Sequence, residues 1–458
     1  MRARLRNAWE NIGASLWFLP TLLVALICVL ATLTLAIDER APTLGGLRPW
    51  LFGGTAGAAR DLLSAIAGSL ITVVALAFSV TIVAIQQAST QFSPRVIRNF
   101  MRDHGNQMVF GAYVATFVYA LLILRQVREG RDSAGAEFVP ALAVTTALGL
   151  ALICVALLIY FIHHTATSLQ VATIADNIRR ELRASIDRLY PDDFAPPLVE
   201  ERAALLTLPG TPPTLTLPAP TAGFLRAIDA DQLLRALPPG IALARVRPQV
   251  GDYLIEGLPL VELWATGPLE QERLVGLLEA FAIDRERSLH QDILFGIRQL
   301  VDIALKALSP GINDPTTAEH CLSHLGDVVA QLADRRFPDP WRRAPASDAI
   351  LLLTRPDFPA IVEAAFGQIR REAADDVHVT RYLLGVLAQL APRATLPERA
   401  AAIRHQADEV LEVLDRQEFT ARDAATLRAR AFAVLDLRAA TDTHAALPCE
   451  RQRGGFEG

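Results

Sequence analysis

The chain has 458 residues, of which 52% are hydrophobic and 20% are charged, and its formal net charge is −5. Soluble proteins carry about 25% charged residues, so this composition excludes a disordered chain and a small disulfide scaffold. The negative net charge argues against a nucleic-acid-binding protein, and a mean hydropathy of +0.29 indicates membrane segments.

Four apolar runs in the first third of the chain predict four transmembrane helices. They cover 16–37, 62–85, 108–124 and 139–162. Each is about as long as the ~20 residues that a helix needs to cross the hydrocarbon core, and none contains a charged residue. The basic residues before the first run are typical of a signal peptide, but its apolar stretch is longer than a signal sequence and predicts an uncleaved helix.

The distribution of arginines predicts the orientation. Arginines at the amino terminus, in the 86–107 loop and after the fourth run favour both termini in the cytoplasm of a bacterial inner (plasma) membrane. An even number of helices then leaves everything after about residue 165 in the cytoplasm. We therefore predict a multi-pass inner-membrane protein.

Polar side chains recur every seven residues along one side of the second run. They are Thr72, Ser79, Gln86 and Ser93, with Thr90 on the same side. Such a polar stripe in an apolar span must contact another helix, another subunit or water. Two interpretations of the stripe stay open, polar contacts between helices and the lining of a pore or hydrated cavity. A third applies to the glutamine cluster at Gln86, which a position at headgroup depth would also explain. The lining interpretation places three arginines at the cytoplasmic mouth: Arg95, Arg98 and Arg102.

The next segments predict a helix, a linker and a small β domain. Residues 166–190 read as one amphipathic juxtamembrane helix, a stalk or assembly helix whose arginines attract anionic lipid. The Pro-rich segment 191–220 predicts a linker. Short apolar runs between turn signals then predict a small β domain over 221–267, in which the two runs flanking Gly257 form a hairpin.

Residues 268–437 predict a mainly helical cytoplasmic domain, with 346–437 entirely helical, and 438–458 predict a disordered tail. The first long helix of this domain carries four polar residues of interest. They are Gln291, Asp292, Arg298 and Asp302, and the last two form an i,i+4 pair.

A polar corner follows this helix. It comprises Ser309, Pro310, Gly311, Asn313 and Asp314. Asp314 is a good N-cap for the next helix, with Pro315 at its first position, so capping explains nearly every residue of the corner. Two alternatives remain, an anion bound by the free amides or a cation bound by Asp314 and Asp302. His320 and His324 have zinc-binding spacing without a third ligand, so no metal site is predicted.

Three stretches resemble an uncharacterised bacterial family, domain of unknown function 2254, of predicted membrane proteins. They are Phe78-Ser79 with 91–100, then 291–304, then 308–315. The resemblance covers about residues 5–437. It implies membrane segments, but the family has no established reaction or substrate to transfer. The family pattern does not include His320 or His324, which is a further argument against a zinc site at these histidines.

The sequence therefore predicts a membrane α-helical protein with four transmembrane helices, followed by a cytoplasmic α+β region with a small β domain and a helical domain. Our leading hypothesis is an oligomeric ion channel or transport-related protein, with the lipid bilayer and further copies of the chain as partners and an unknown ion or small ligand. The alternative is a membrane-anchored sensor or scaffold. The sequence shows no catalytic motif and predicts no enzyme, no cofactor and no nucleic-acid partner.

Overall fold

A computed structural model describes residues 17–40, 51–91, 104–128, 138–168, 170–191, 210–267, 271–344, 348–417 and 419–436. The chain divides into two compact units between Ile174 and Ala175. We call 2–174 the membrane unit and 175–458 the C-terminal unit. The predicted disordered tail lies outside the described residues.

The membrane unit contains helices long and apolar enough to cross a bilayer, as the sequence predicts. Among the described residues there are four: α1 (Phe18–Arg40), α2 (Ala56–Gln91), α3 (His104–Leu124) and α4 (Ala141–Ser168). Large apolar side chains point outward from this bundle, since Leu26, Leu152 and Ile159 are 63%, 65% and 68% exposed. Such a surface is stable in hydrocarbon and unfavourable in water.

Helix α3 lies at the centre of the membrane unit and packs against each of the other three helices. Its two buried tyrosines bond to neighbouring helices: the Tyr119 hydroxyl lies 2.9 Å from the Thr34 hydroxyl, and the Tyr113 hydroxyl donates to the Cys154 carbonyl at 2.9 Å. At Gly111 a Cβ atom would lie 3.0 Å from the Pro20 backbone. The glycine at 111 therefore allows the backbones of α1 and α3 to approach closely there.

The C-terminal unit is a mixed α and β structure. Its helices are α5 (Val171–Leu189), which begins just before the division, α6 (Ala230–Ala236), α7 (Gln271–Leu278), α8 (Ile293–Leu308), α9 (Pro315–Ala333), α10 (Phe358–Glu372), α11 (Val377–Leu390), α12 (Pro397–Leu414) and α13 (Ala421–Asp436). Its strands are β1 (Leu215–Pro218), β2 (Gly223–Ile228), β3 (Ile241–Val246), β4 (Tyr253–Leu254), β5 (Pro259–Ala265), β6 (Phe281–Asp284), β7 (Trp341–Arg343) and β8 (Ile350–Leu353).

The strands form two sheets. The larger has the order β1-β5-β3-β8-β7, in which β3 and β8 are parallel and the other neighbours antiparallel. The smaller is antiparallel, with the order β4-β2-β6. One apolar core lies under both sheets and includes Leu225, Leu233, Leu263 and Leu351.

The β structure departs from three sequence predictions. Strand β1 lies inside the predicted linker, where its Pro218 is tolerated because β1 is an edge strand. The predicted hairpin around Gly257 is wrong, since β4 pairs with β2 and β5 pairs with β1 and β3. Strand β8 interrupts the segment predicted to be entirely helical. The sheets therefore extend on both sides of the predicted β domain.

Candidate functional site

The polar stripe of α2 faces away from the bundle of its own chain. Thr72, Ser79 and Gln86 are exposed on the surface of the single chain. The buried side of α2 is formed by another series with the same spacing, Leu63, Leu70, Ala77 and Ala84. Because each residue turns a helix by about 100°, the two-residue offset between these series places them on opposite sides. Packing within the chain therefore does not cover the stripe.

The stripe lies among small residues on the outward side of α2. Gly68 and Ala75 are exposed there, between and beside the polar positions, and a Cβ atom at Gly68 would meet no atom within 4 Å. The Thr72 hydroxyl donates to its own helix at the Gly68 carbonyl, at 3.0 Å. That bond satisfies Thr72 in hydrocarbon, so Ser79 and Gln86 are the positions that most need a partner.

Part of the predicted pore set is not described. Thr90 belongs to α2, but its side chain lies outside the described residues. Four further positions lie wholly outside them: Ser93, Arg95, Arg98 and Arg102. Their proposed roles remain sequence predictions.

Helix α5 is part of the C-terminal unit and not a free stalk. Ile178, Leu182 and Ile186 are fully buried, and the Ser185 hydroxyl donates to the Leu289 carbonyl at 3.0 Å. The apolar face that predicted a coiled-coil-like helix is therefore covered by the chain's own residues.

The arginines of α5 are largely neutralised by carboxylates. Arg179 and Arg183 lie 3.0 and 3.1 Å from Asp327 on α9, and Arg180 lies 3.0 Å from Asp176. The hydrogen bond from Arg179 lowers the pKa of Asp176, which keeps that carboxylate charged. These local pairs weaken the predicted attraction of α5 to anionic lipid.

Gln291 and Asp292 connect the start of α8 to the smaller sheet and its adjoining loops. The side chain of Gln291 accepts from the Ile228 amide at 2.9 Å and donates to the Ile228 carbonyl at 3.3 Å. This is the pairing that a neighbouring strand would make, so the glutamine extends the hydrogen bonding of β2.

Asp292 is a buried N-cap with a cationic partner. Its carboxylate accepts from the Phe295 amide at 3.0 Å and from Arg287 at 2.7 and 2.9 Å. Burial raises the pKa of Asp292, and the bonds from Arg287 oppose that rise. Gly251 covers the pair, since a Cβ atom there would lie 2.5 Å from the carboxylate. Its φ of +99° also favours glycine.

Arg298 and Asp302 form the predicted i,i+4 ion pair, at 2.7 Å. Arg298 also donates to Gln368 on α10. The bond to Gln368 joins α8 to α10, whereas the ion pair lies within α8. Arg298 and Asp302 lie on the same helix as Gln291 and Asp292 but bond to different elements, so the four signature residues do not converge on one site.

The corner between α8 and α9 is a closed capping turn. Asp314 accepts from the Thr317 amide at 3.1 Å and from the Thr317 hydroxyl at 2.6 Å, and the hydroxyl bond lowers the pKa of Asp314. Asn313 takes a φ of +50° and donates to the Ser309 carbonyl at 2.9 Å. Ser309 in turn donates to the Lys306 carbonyl at 2.6 Å. The capping interpretation therefore accounts for the hydrogen bonds of the corner.

His320 and His324 lie on α9. Burial and the charge of Arg179 lower the pKa of His324, which keeps the imidazole neutral at physiological pH. Among the residues that the structure describes, no group of three or more His, Cys, Asp or Glu side chains is placed to hold a metal ion. Asp302 and Asp314, the two carboxylates of the cation alternative, therefore belong to no such group either.

A polar groove of about 530 Å³ lies where α5, α9 and α11 meet. Charged residues of both signs line it: Arg183, Asp327, Asp334, Arg335 and Arg393. The sequence does not reveal this groove, because its residues come from three separate helices.

Comparisons with known proteins decide the family. The family model described as Predicted membrane protein (DUF2254) matches residues 13–389. Uncharacterised proteins of Mycobacterium bovis and Mycobacterium tuberculosis are each 35% identical over 424 residues, which cover 91% of this chain and 79% of theirs. The chain belongs to the DUF2254 family.

Membership in DUF2254 confirms the resemblance found in the sequence and the assignment to a membrane. The family match contains all four apolar helices, the α8 signature and the corner at Asp314. No solved structure matches the chain.

Proposed function

We propose that this DUF2254 protein is an oligomeric ion channel or transport-related protein in which copies of α2 surround a hydrated path. The outward direction of Ser79 and Gln86 carries this proposal. A buried amide without a hydrogen-bond partner costs roughly 2–7 kcal/mol, and hydrocarbon offers none. Water or a second copy of the chain therefore covers the stripe.

The residues beside the stripe support contact between copies. Transmembrane helices associate through small residues that let their backbones approach closely. The outward side of α2 has Gly68, Thr72, Ala75 and Ser79 in two small-x-x-x-small pairs. The same side carries Gln86, whose amide has two donor hydrogens and an acceptor oxygen that the backbone of one helix does not fully satisfy. Small and polar residues together suit an interface that encloses water.

The C-terminal unit is the proposed assembly or gating domain. The arginine distribution supports a cytoplasmic position for this unit, at a bacterial inner membrane. Only residues 169 and 170 separate α4 from α5 in the chain, so the connection between the fourth span and this unit is short.

Reconstitution tests the proposal. Purified full-length protein in lipid nanodiscs should have the mass of several chains, and proteoliposomes should release ions faster than protein-free liposomes. Varying the voltage and the ions across the membrane identifies the permeant species. A monomer in nanodiscs that gives no flux under any of these conditions would overturn the proposal.

The second candidate function is a membrane-anchored sensor or scaffold. The polar groove of the C-terminal unit favours it, since Arg183, Arg335 and Arg393 stand there beside Asp327 and Asp334 and offer charges of both signs to a partner. A sensor would show ligand-dependent stabilisation of the full chain without ion flux. A channel would show flux that changes when the α2 stripe is altered.

A further inference from the structure

A small cavity of about 50 Å³ lies between the end of α5, the start of α8 and the segment after β8. Groups that form hydrogen bonds line part of it: Tyr190, Gln291, Asp292, Thr354 and Arg355. One water needs roughly 10–15 Å³ measured in this way. The cavity therefore has room for one small polar ligand.

Arg355 brings an uncompensated positive charge to this cavity. It is half-buried, and among the described residues no carboxylate or carbonyl bonds to its guanidinium. Burial lowers the pKa of Arg355, and the positive charge of Arg342 on β7 lowers it further. Arg355 therefore lies near a second positive charge, an arrangement that costs free energy and that a bound anion would relieve.

Other buried arginines of the C-terminal unit have partners. Arg226 lies 2.6 Å from Asp284, and Arg370 lies 3.3 Å from Glu409. Arg399 donates to the Leu332 and Ala333 carbonyls at the end of α9. Arg355 is less buried than these three and has no such partner among the described residues, so its guanidinium is available to a ligand.

Tyr190 supplies a second donor. Its ring is buried and packs edge-on against Phe337, with the ring centroids 4.9 Å apart. Burial raises the pKa of Tyr190 to about 12, and the charge of Arg355 partly offsets that rise. The phenol therefore stays protonated at neutral pH and its O–H is able to donate to an anion.

Two other polar groups of the cavity are already engaged. Asp292 accepts two bonds from Arg287, so its negative charge is balanced. Both polar atoms of the Gln291 side chain bond to the Ile228 backbone. Arg355, Tyr190 and the exposed Thr354 are left to contact a ligand.

We propose that this cavity binds a small oxyanion of the phosphate or carboxylate type, held by the Arg355 guanidinium and the Tyr190 hydroxyl. The planar guanidinium offers two parallel N–H groups that match two oxygens of such an anion. The size of the cavity limits the ligand to a single small group. This proposal does not depend on the channel proposal.

Thermal melting of the purified full-length protein in detergent tests this site. Saturating sodium phosphate should raise Tm by about 2–4 °C over sodium chloride of equal ionic strength. Sodium acetate, tested in the same way, shows whether a carboxylate replaces phosphate. Arg355→Gln should abolish the shift, and Tyr190→Phe should reduce it while keeping the ring against Phe337.

The matched control is Arg343→Gln. Arg343 is an exposed arginine next to Arg342 on the edge strand β7, where it pairs with Ile350 of β8. This variant should keep the full phosphate shift. Arg355→Gln without phosphate should melt at or above the wild-type Tm, because the variant removes a half-buried charge that has no carboxylate partner among the described residues. An equal shift in Arg355→Gln and wild type would overturn the proposal.

Asp192 and Asp193 follow Tyr190 in the sequence and lie outside the described residues. If one of their carboxylates were the partner of Arg355, wild type would show no phosphate shift and Asp192→Asn/Asp193→Asn would gain one. That outcome would also contradict a separate anion. A shift of equal size in wild type and in the double variant supports the proposal.

Discussion

Replacing Ser79 with leucine should reduce ion flux through reconstituted protein by about tenfold or more, which corresponds to ~1.4 kcal/mol in the barrier. Ser79 lies midway along the outward stripe of α2, and every copy in an oligomer would carry the change. Leucine removes the hydroxyl and adds apolar volume, and apolar constrictions block conduction by expelling water. The measurement is the initial flux per protein in liposomes.

Stability and flux should separate in this variant. Position 79 is exposed on the single chain, so leucine there should leave the packing within the chain unchanged, and any loss of Tm in detergent would come from contacts between copies. The matched control is Val155→Leu, since Val155 is 59% exposed on α4 and belongs to no polar stripe. Val155→Leu should keep wild-type flux. Equal flux in Ser79→Leu and wild type would argue that the stripe lines no path.

Replacing Asp292 with alanine should destabilise the C-terminal unit by about 3 kcal/mol. The change removes an N-cap bond to Phe295 and leaves Arg287 without its carboxylate. Arg287 is 25% exposed, so water relieves part of the cost and the estimate lies at the low end for a buried pair. Differential scanning calorimetry of the full chain should show a loss in Tm of about 6–12 °C for Asp292→Ala.

Three variants separate the contributions at Asp292. Asp292→Asn keeps an oxygen for the cap and loses the charge, so its loss should be intermediate. Gly251→Ala places a Cβ atom against the same carboxylate, so its loss in Tm should approach that of Asp292→Ala. Asp357→Ala removes an exposed N-cap bond of 2.9 Å on α10 and should cost only ~1 kcal/mol. If Asp292→Ala and Asp357→Ala had the same Tm, the Arg287–Asp292 ion pair would contribute nothing measurable to stability.

Local patterns in the sequence predicted the parts of the fold that depend on local physics. The four spans follow from apolar length alone, and the α8–α9 corner follows from Asp314 and Pro315 as capping residues. The Arg298–Asp302 pair follows from helical spacing. Each of these features involves residues close together in the chain.

The sheets depend on pairing between distant segments, which the sequence pattern does not reveal. Strand β3 pairs in parallel with β8, more than a hundred positions later. Two-residue β4 is too short to show an alternation, and its turn at Gly257 leads into a different sheet. The cavity lined by Tyr190 and Arg355 is likewise invisible in the sequence, because these residues come together only when α5 and the segment after β8 have folded.

The direction of the α2 stripe was the question that the sequence left open. Seven-residue spacing places Thr72, Ser79 and Gln86 on one side, but it does not say which side packs inward. The buried series that contains Leu70 and Ala77 answers that question for the single chain. Covering of the stripe by other copies and by water is the claim that now needs measurement.

Thiol labelling in sealed membrane vesicles tests this claim most directly. In a chain whose native cysteines are replaced by alanine, Ser79→Cys should react readily with a small hydrophilic thiol reagent, because water allows the reactive thiolate to form. Ile159→Cys, exposed on the apolar surface of α4, should react far more slowly. Equally slow labelling of both positions would show that water does not reach Ser79 and would contradict a hydrated path along α2.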